Sequence, residues 1–109
     1  MLPLDRTFRA LGDQTRLRIL NLLLRGEQPV GDLILALNLP QSSISQHLAA
    51  LREAEMVAVR RQGKQRYYSL QEPRSYIQAK VLDCVRECLN EAAAYRGDLL
   101  RLKRLRPQL

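Results

Sequence analysis

Cysteine and histidine are scarce in this chain: Cys84, Cys88 and His47 are all it has. Two thiolates are too few for a closed tetrahedral zinc site, which takes four N or S ligands. Two thiols four residues apart in a reducing compartment point to metal or redox chemistry before a structural disulfide. Long apolar runs are missing as well. The longest, within Leu17–Leu24, is broken by Arg18 and Asn21, well short of the roughly 18 residues that mark a membrane-spanning helix. The first ten residues hold Asp5, Arg6 and Arg9, unlike a secretory signal, so a cytoplasmic location without a membrane partner is expected. There are no repeats or low-complexity segments. No carboxylate pair, Cys–His neighbour or glycine-rich phosphate loop stands out, so neither an enzyme nor an organic cofactor is expected.

Acidic residues are also few beside the basic ones. Eleven Asp and Glu face eighteen Lys and Arg, for a formal charge of +7. That balance suits a polyanionic partner. The 109 residues are 46% hydrophobic, which argues for one globular domain over residues 1–109 with a core that dimerisation would help to complete.

Hydrophobic spacing divides the chain. Leu4, Phe8 and Leu11 mark a first helix ended by Gly12. Asp13 suits the N-cap of a second helix from Gln14 to Arg25, whose apolar face is Leu17, Leu20, Leu23 and Leu24, widened by Ile19 and Leu22. Gln28, Pro29 and Val30 read as a short connection, and Asp32 to Leu37 as a third helix. The turn Asn38-Leu39-Pro40 opens a fourth helix, about Gln41 to Ala54.

On a helical wheel the fourth helix buries Ile44, Leu48 and Leu51, which lie within about 40° of one another's stripe. Gln41, Ser42, Ser45 and Gln46 gather at roughly 60° to 200° as one polar face at the N-terminal end. Gln pairs bidentately with adenine and Ser with several bases, so these four are the expected base-reading residues. His47 flanks the buried stripe and is expected to pack or to face phosphate rather than to bind metal. A β-hairpin follows, Val57 to Arg61 and Gln65 to Leu70, turning at Gly63. Arg60, Arg61, Lys64 and Arg66 crowd its tip and would repel one another until an anion arrives, a footprint for phosphates. A solvated basic hairpin is the plainer alternative.

After Pro73 one long helix is expected, about 73–102. Ile77, Val81, Cys84, Cys88, Ala92, Tyr95, Leu99 and Leu102 recur in steps of three and four, an apolar seam widened by Leu82, Val85 and Leu89 and more than one small core needs. The expectation is that it packs, with the first helix beside it, against a second copy of the chain. Cys84 and Cys88 lie about 6 Å apart along the axis, and on one face their sulfurs can converge on one soft ion. Trivalent arsenic or antimony fits such a pair, with a third thiolate or a small thiol completing the shell. Thiol redox or persulfide chemistry and plain packing are the alternatives.

Three segments in order, LGDQTRLRIL (Leu11 to Leu20), LPQSSISQHLAALREAEMV (Leu39 to Val57) and RRQGKQRYYSL (Arg60 to Leu70), resemble the ArsR/SmtB family of bacterial winged helix–turn–helix repressors. The resemblance covers Leu4 to Leu70. It implies a mainly α fold with a small hairpin wing, a DNA-binding core of about 13–70, and a homodimer formed through the first and last helices. It also implies that two recognition helices enter successive major grooves of a pseudo-palindromic operator, with Gln41, Ser42, Ser45 and Gln46 at the base-reading positions. The chain departs from the family's pattern at Gln14, commonly Pro, and at Glu55, commonly Gly, where a left-handed backbone costs on the order of 1 kcal/mol. The third helix reads Val30-Gly31-Asp32-Leu33 without the family's Cys-x-Cys motif. The last-helix zinc site is missing too, since no histidine follows His47. The expected function is therefore a repressor that leaves its operator when As(III) or Sb(III) occupies Cys84 and Cys88. A redox-responsive or ligand-free repressor and a sequence-indifferent architectural DNA-binding protein are the rivals.

Overall fold

A computed structural model describes residues 3–91 and 93–108. Among these residues six helices and three short strands follow in the order α1 (Pro3–Leu11), α2 (Gln14–Leu23), β1 (Gln28–Pro29), α3 (Val30–Leu37), α4 (Gln41–Glu53), β2 (Val57–Gln62), β3 (Gln65–Leu70), α5 (Tyr76–Glu91) and α6 (Arg96–Leu105). A single 3₁₀ turn, Ala93–Tyr95, precedes α6. The core gathers Ile19, Leu20, Leu22 and Leu23 of α2, Leu33, Ala36 and Leu37 of α3, and Ile44, Leu48 and Leu51 of α4. Val57 and Tyr68 close it from the sheet, and Leu102 from α6. The apolar spacing of each helix is thus spent on a shared centre, the arrangement expected when an amphipathic face drives helix formation.

Local chemistry sets the helix ends. Asp13 is extended and accepts a hydrogen bond from the Arg16 amide at 3.0 Å, which satisfies one of the donors left open at the start of α2. Asn38 ends α3 in the left-handed conformation at φ 55°, which Asn tolerates better than most residues. Pro40 then opens α4, its carbonyl taking the Ile44 amide at 3.1 Å. At the end of α4, Glu55 does adopt a left-handed backbone, φ 58°, as expected from its place opposite a family glycine.

Two expectations fail. Gln28 and Pro29 are not a bare connection: they pair antiparallel with Tyr68 and Tyr67, so the hairpin becomes a three-stranded sheet ordered β1-β3-β2. Gln28 is fully buried there. The other failure is the single long helix. α5 is described as far as Glu91; from Ala93 the chain forms the 3₁₀ turn and then α6, which lies against α2 and α3. The cause is Asp98, only 3% exposed, which accepts from Arg18 Nε and Nη2 at 2.9 Å each and from Arg101 Nη2 at 2.7 Å. The same two arginines donate to Leu37 O at 2.8 Å and Ala36 O at 2.6 Å, the open carbonyls at the end of α3. A straight continuation of α5 would part this buried carboxylate from Arg18 and leave the α3 carbonyls without their arginine donors.

The seam read from the spacing therefore splits. Leu99 packs on the core and Leu102 enters it, whereas Ile77, Cys84 and Cys88 face outward and Val81 is half-buried. Ala92 lies outside the described residues. The stripe expected only to widen the seam, Leu82 with Leu89, is the face that α5 turns inward.

Candidate nucleic-acid interface and dithiol site

Helix α4 buries Ile44, Leu48 and Leu51 completely, and that fixes its rotation. Gln41, Ser42, Ser45 and Gln46 consequently all stand exposed at its N-terminal end, as the wheel requires. They share that end with the unpaired amides of the first helical turn, which favour an anion. His47, one step round the helix, is half-buried and faces α2. Its Nδ1 lies 3.4 Å from Arg16 Nη1 and 3.7 Å from Asp13 Oδ1. Arg16 in turn donates to Ala10 O at 2.6 Å and Arg9 O at 3.2 Å. His47 thus belongs to a polar knot that fixes α4 against the α1–α2 corner. Burial pushes the Asp13 carboxyl up, but the Arg16 amide and the positive charges of His47 and Arg16 outweigh it and hold the group below its ordinary 3.8.

Strands β2 and β3 pair from Val57↔Leu70 to Gln62↔Gln65, leaving Gly63 and Lys64 as a two-residue loop with Gly63 at φ 63°. That positive φ is why glycine stands there. Arg61 and Arg66 are directly opposite each other in the ladder, a like-charge pairing that costs stability until an anion neutralises it. Both are exposed, as is Lys64. Arg60 behaves differently, and here the expectation of four repelling cations needs correction. Its guanidinium lies 4.5 Å over the Tyr67 ring and meets Glu27 in a bidentate pair, Nε–Oε2 at 2.8 Å and Nη2–Oε1 at 2.7 Å. It also donates to Gln62 Oε1 at 2.8 Å. The hydrogen bond from Arg60 holds the Glu27 carboxyl below its ordinary value. Glu27 escaped sequence reasoning because 33 residues separate it from Arg60; only the β1–β3 pairing brings the two together.

Cys84 and Cys88 are exposed thiols on α5, their sulfurs 4.0 Å apart. The expected convergence of the pair is present, and its outward orientation means that neither sulfur serves as filling for this chain's own core. Among the described residues no group of three or more His, Cys, Asp and Glu side chains is placed to hold a metal ion. An ion that takes three ligands at this pair needs one from beyond them. Among the same residues no helix is long and apolar enough to cross a membrane.

The sequence profile described as "Bacterial regulatory protein, arsR family" matches residues 13–59, from the α2 N-cap into β2. The arsenical resistance operon repressor of Escherichia coli (strain K12) is 41% identical over 92 residues, 84% of this chain and 78% of that protein. HlyU from Vibrio cholerae has a solved structure that superposes with a TM-score of 0.69 at 31% identity, over 79% of this chain and 90% of HlyU. A possible ArsR-family regulator from Mycobacterium bovis, solved as a homodimeric winged helix–turn–helix DNA-binding domain, reaches 0.67 at 28% identity, over 84% of this chain and 82% of that one. The mainly helical fold with its small antiparallel sheet is the winged helix–turn–helix expected from the sequence.

Proposed function

Because this chain belongs to the arsR family of bacterial transcriptional regulators, we propose that it is a homodimeric, sequence-specific repressor that acts in the cytoplasm and reads operator DNA with α4. The observation that carries this reading is the exposed polar row Gln41, Ser42, Ser45 and Gln46, set beside a basic hairpin by a buried Ile44–Leu48–Leu51 stripe. Gln and Ser side chains supply hydrogen bonds to base edges, while Arg61, Lys64 and Arg66 supply phosphate contacts that set the register. Arg60 belongs to the same basic group but is paired within the chain. Two such units related by a dimer axis meet half-sites about one helical turn apart. A purely electrostatic binder has no use for the polar row, which favours this reading over an architectural protein.

The inducer is As(III) or Sb(III), held by Cys84 and Cys88 with a third thiolate from outside this chain. Support comes from the 4.0 Å sulfur separation, from the preference of thiolates for soft ions, and from the arsenical-resistance repressor among the relatives. An ion that prefers one packing of the α5 pair shifts the spacing of the two α4 helices and so weakens operator binding. Redox sensing is the second reading, favoured by the exposure of both thiols; it links sulfurs across the dimer or caps one of them.

An operator gel shift tests both levels. Arsenite and antimonite are expected to release DNA from the wild type but not from Cys84→Ser or Cys88→Ser, with zinc, cadmium and peroxide as comparators. Release of both variants by arsenite rules out the metalloid site, and release by peroxide alone selects the redox reading. Gln41→Ala is expected to change sequence preference, whereas Arg61→Ala weakens all duplexes alike. Equal binding of any duplex by the wild type rules out the repressor.

A further inference from the structure

Arg60 stands on the wing but does not present its charge as the other wing cations do. From β2 its side chain runs back across β3, over Tyr67, and ends on Glu27, the residue immediately before β1. The ladder explains the path: Arg60 pairs with Tyr67, and Tyr67 with Pro29, so all three strands bring these positions into one row. Glu27 offers both carboxylate oxygens in the fork geometry that a phosphate would offer. Arg106, at the end of α6, adds a second positive field at Glu27 and lies 3.7 Å from Asp32 in the first turn of α3. Arg60 remains half exposed in this pair, so it is reachable from solvent and held rather than entombed.

We infer that Glu27 is an intramolecular phosphate mimic that latches Arg60 and withholds one wing cation from the DNA backbone, setting the affinity and salt dependence of the complex. The inference rests on the DNA-binding reading above. Engaging Arg60 requires a phosphate to displace a carboxylate already in a bidentate pair, and it leaves Glu27 beside the polyanion. In the resting arrangement the phosphate-facing charge of the wing is therefore carried by Arg61, Lys64 and Arg66. The latch keeps non-specific affinity low, because each phosphate contact adds to binding regardless of base sequence.

Glu27→Gln removes the charge and keeps the shape. With the full-length protein and a fluorescent duplex titrated from 50 to 200 mM salt, this variant is expected to bind more tightly than the wild type. One added phosphate contact per subunit steepens the salt dependence by about 0.9 per contact, so for two subunits the affinity lost over that salt range grows roughly tenfold. Arg60→Ala alone is expected to change little, and Glu27→Gln in the Arg60→Ala background to lose its tightening. Glu27→Asp, too short to keep the fork, is expected to fall between wild type and Glu27→Gln. Unchanged or weaker binding by Glu27→Gln overturns the latch, as does tightening that survives in Arg60→Ala. Loss of binding in both single variants also overturns it, since the pair would then serve to brace the wing. If the wild type binds all duplexes equally, the repressor reading fails while the salt comparison still decides the latch. If it binds no duplex, both fail.

Discussion

At the residue scale, the same side-chain chemistry has different consequences according to what faces it. Asp13 is the clearest case. The spacing marks it as an N-cap, and it is one. The structure adds Arg16 and His47, which make the cap part of the joint between α2 and α4. Asp13→Ala is expected to cost about 1 kcal/mol at neutral pH. Since the folded-state carboxyl titrates below its ordinary 3.8, the contribution is fully present above that pH and fades as pH falls through the lowered value. Urea unfolding of wild type and variant from pH 7 to pH 3 checks this: the gap between their midpoints should close only in acid. A gap that is constant across this range contradicts the assignment. Arg60 teaches the converse. It has the composition of a phosphate ligand, yet its partner in the structure is a carboxylate 33 residues away.

At the scale of elements, the break between α5 and α6 matters most. Periodicity runs unbroken through residues 77–102, and periodicity alone describes one helix. What interrupts it is a buried carboxylate whose two arginines sit on α2 and on α6 itself. Asp98 thereby ties the C-terminal helix to the carbonyl end of α3, the helix that leads into α4. Asp98→Asn leaves Arg18 partly buried without its counter-charge and is expected to destabilise the fold by about 3 kcal/mol. Arg101→Ala, at a half-exposed position, should cost no more than about 1 kcal/mol. Denaturation midpoints of the two variants check the order, and equal losses would mean that the clamp is no stronger than a surface pair. The sheet carries a similar lesson in small. Two residues, Gln28 and Pro29, suffice as a strand because β3, already paired to β2, presents its free edge to them.

At the scale of the whole molecule, apolar residues left outside one chain's core point to a second copy. Ile77 is 53% exposed and Phe8 56%, and they lie on α5 and α1, the elements expected at a dimer interface. Ile77→Lys is expected to shift sedimentation from a dimer toward the 12.6 kDa single chain and to weaken operator binding at least tenfold, because one half-site contributes far less than two. A variant that stays dimeric and binds normally would place the interface elsewhere. The local patterns were legible before any fold: the α4 stripe from Ile44, Leu48 and Leu51, the exposed row Gln41, Ser42, Ser45 and Gln46, the Gly63 turn, and the facing thiols. Each depends on neighbours three or four positions away along a helix or on one turn conformation, and such short-range geometry is written in the order of residues. What the tertiary structure alone decided is which distant groups meet: Glu27 with Arg60, Arg18 with Asp98, Gln28 with Tyr68. These pairings join residues 33, 80 and 40 positions apart. Charge and apolar pattern mark such residues as available, but only the packing of the whole chain selects their partners, since each ion pair or strand pairing forms where the core has already brought the backbone together.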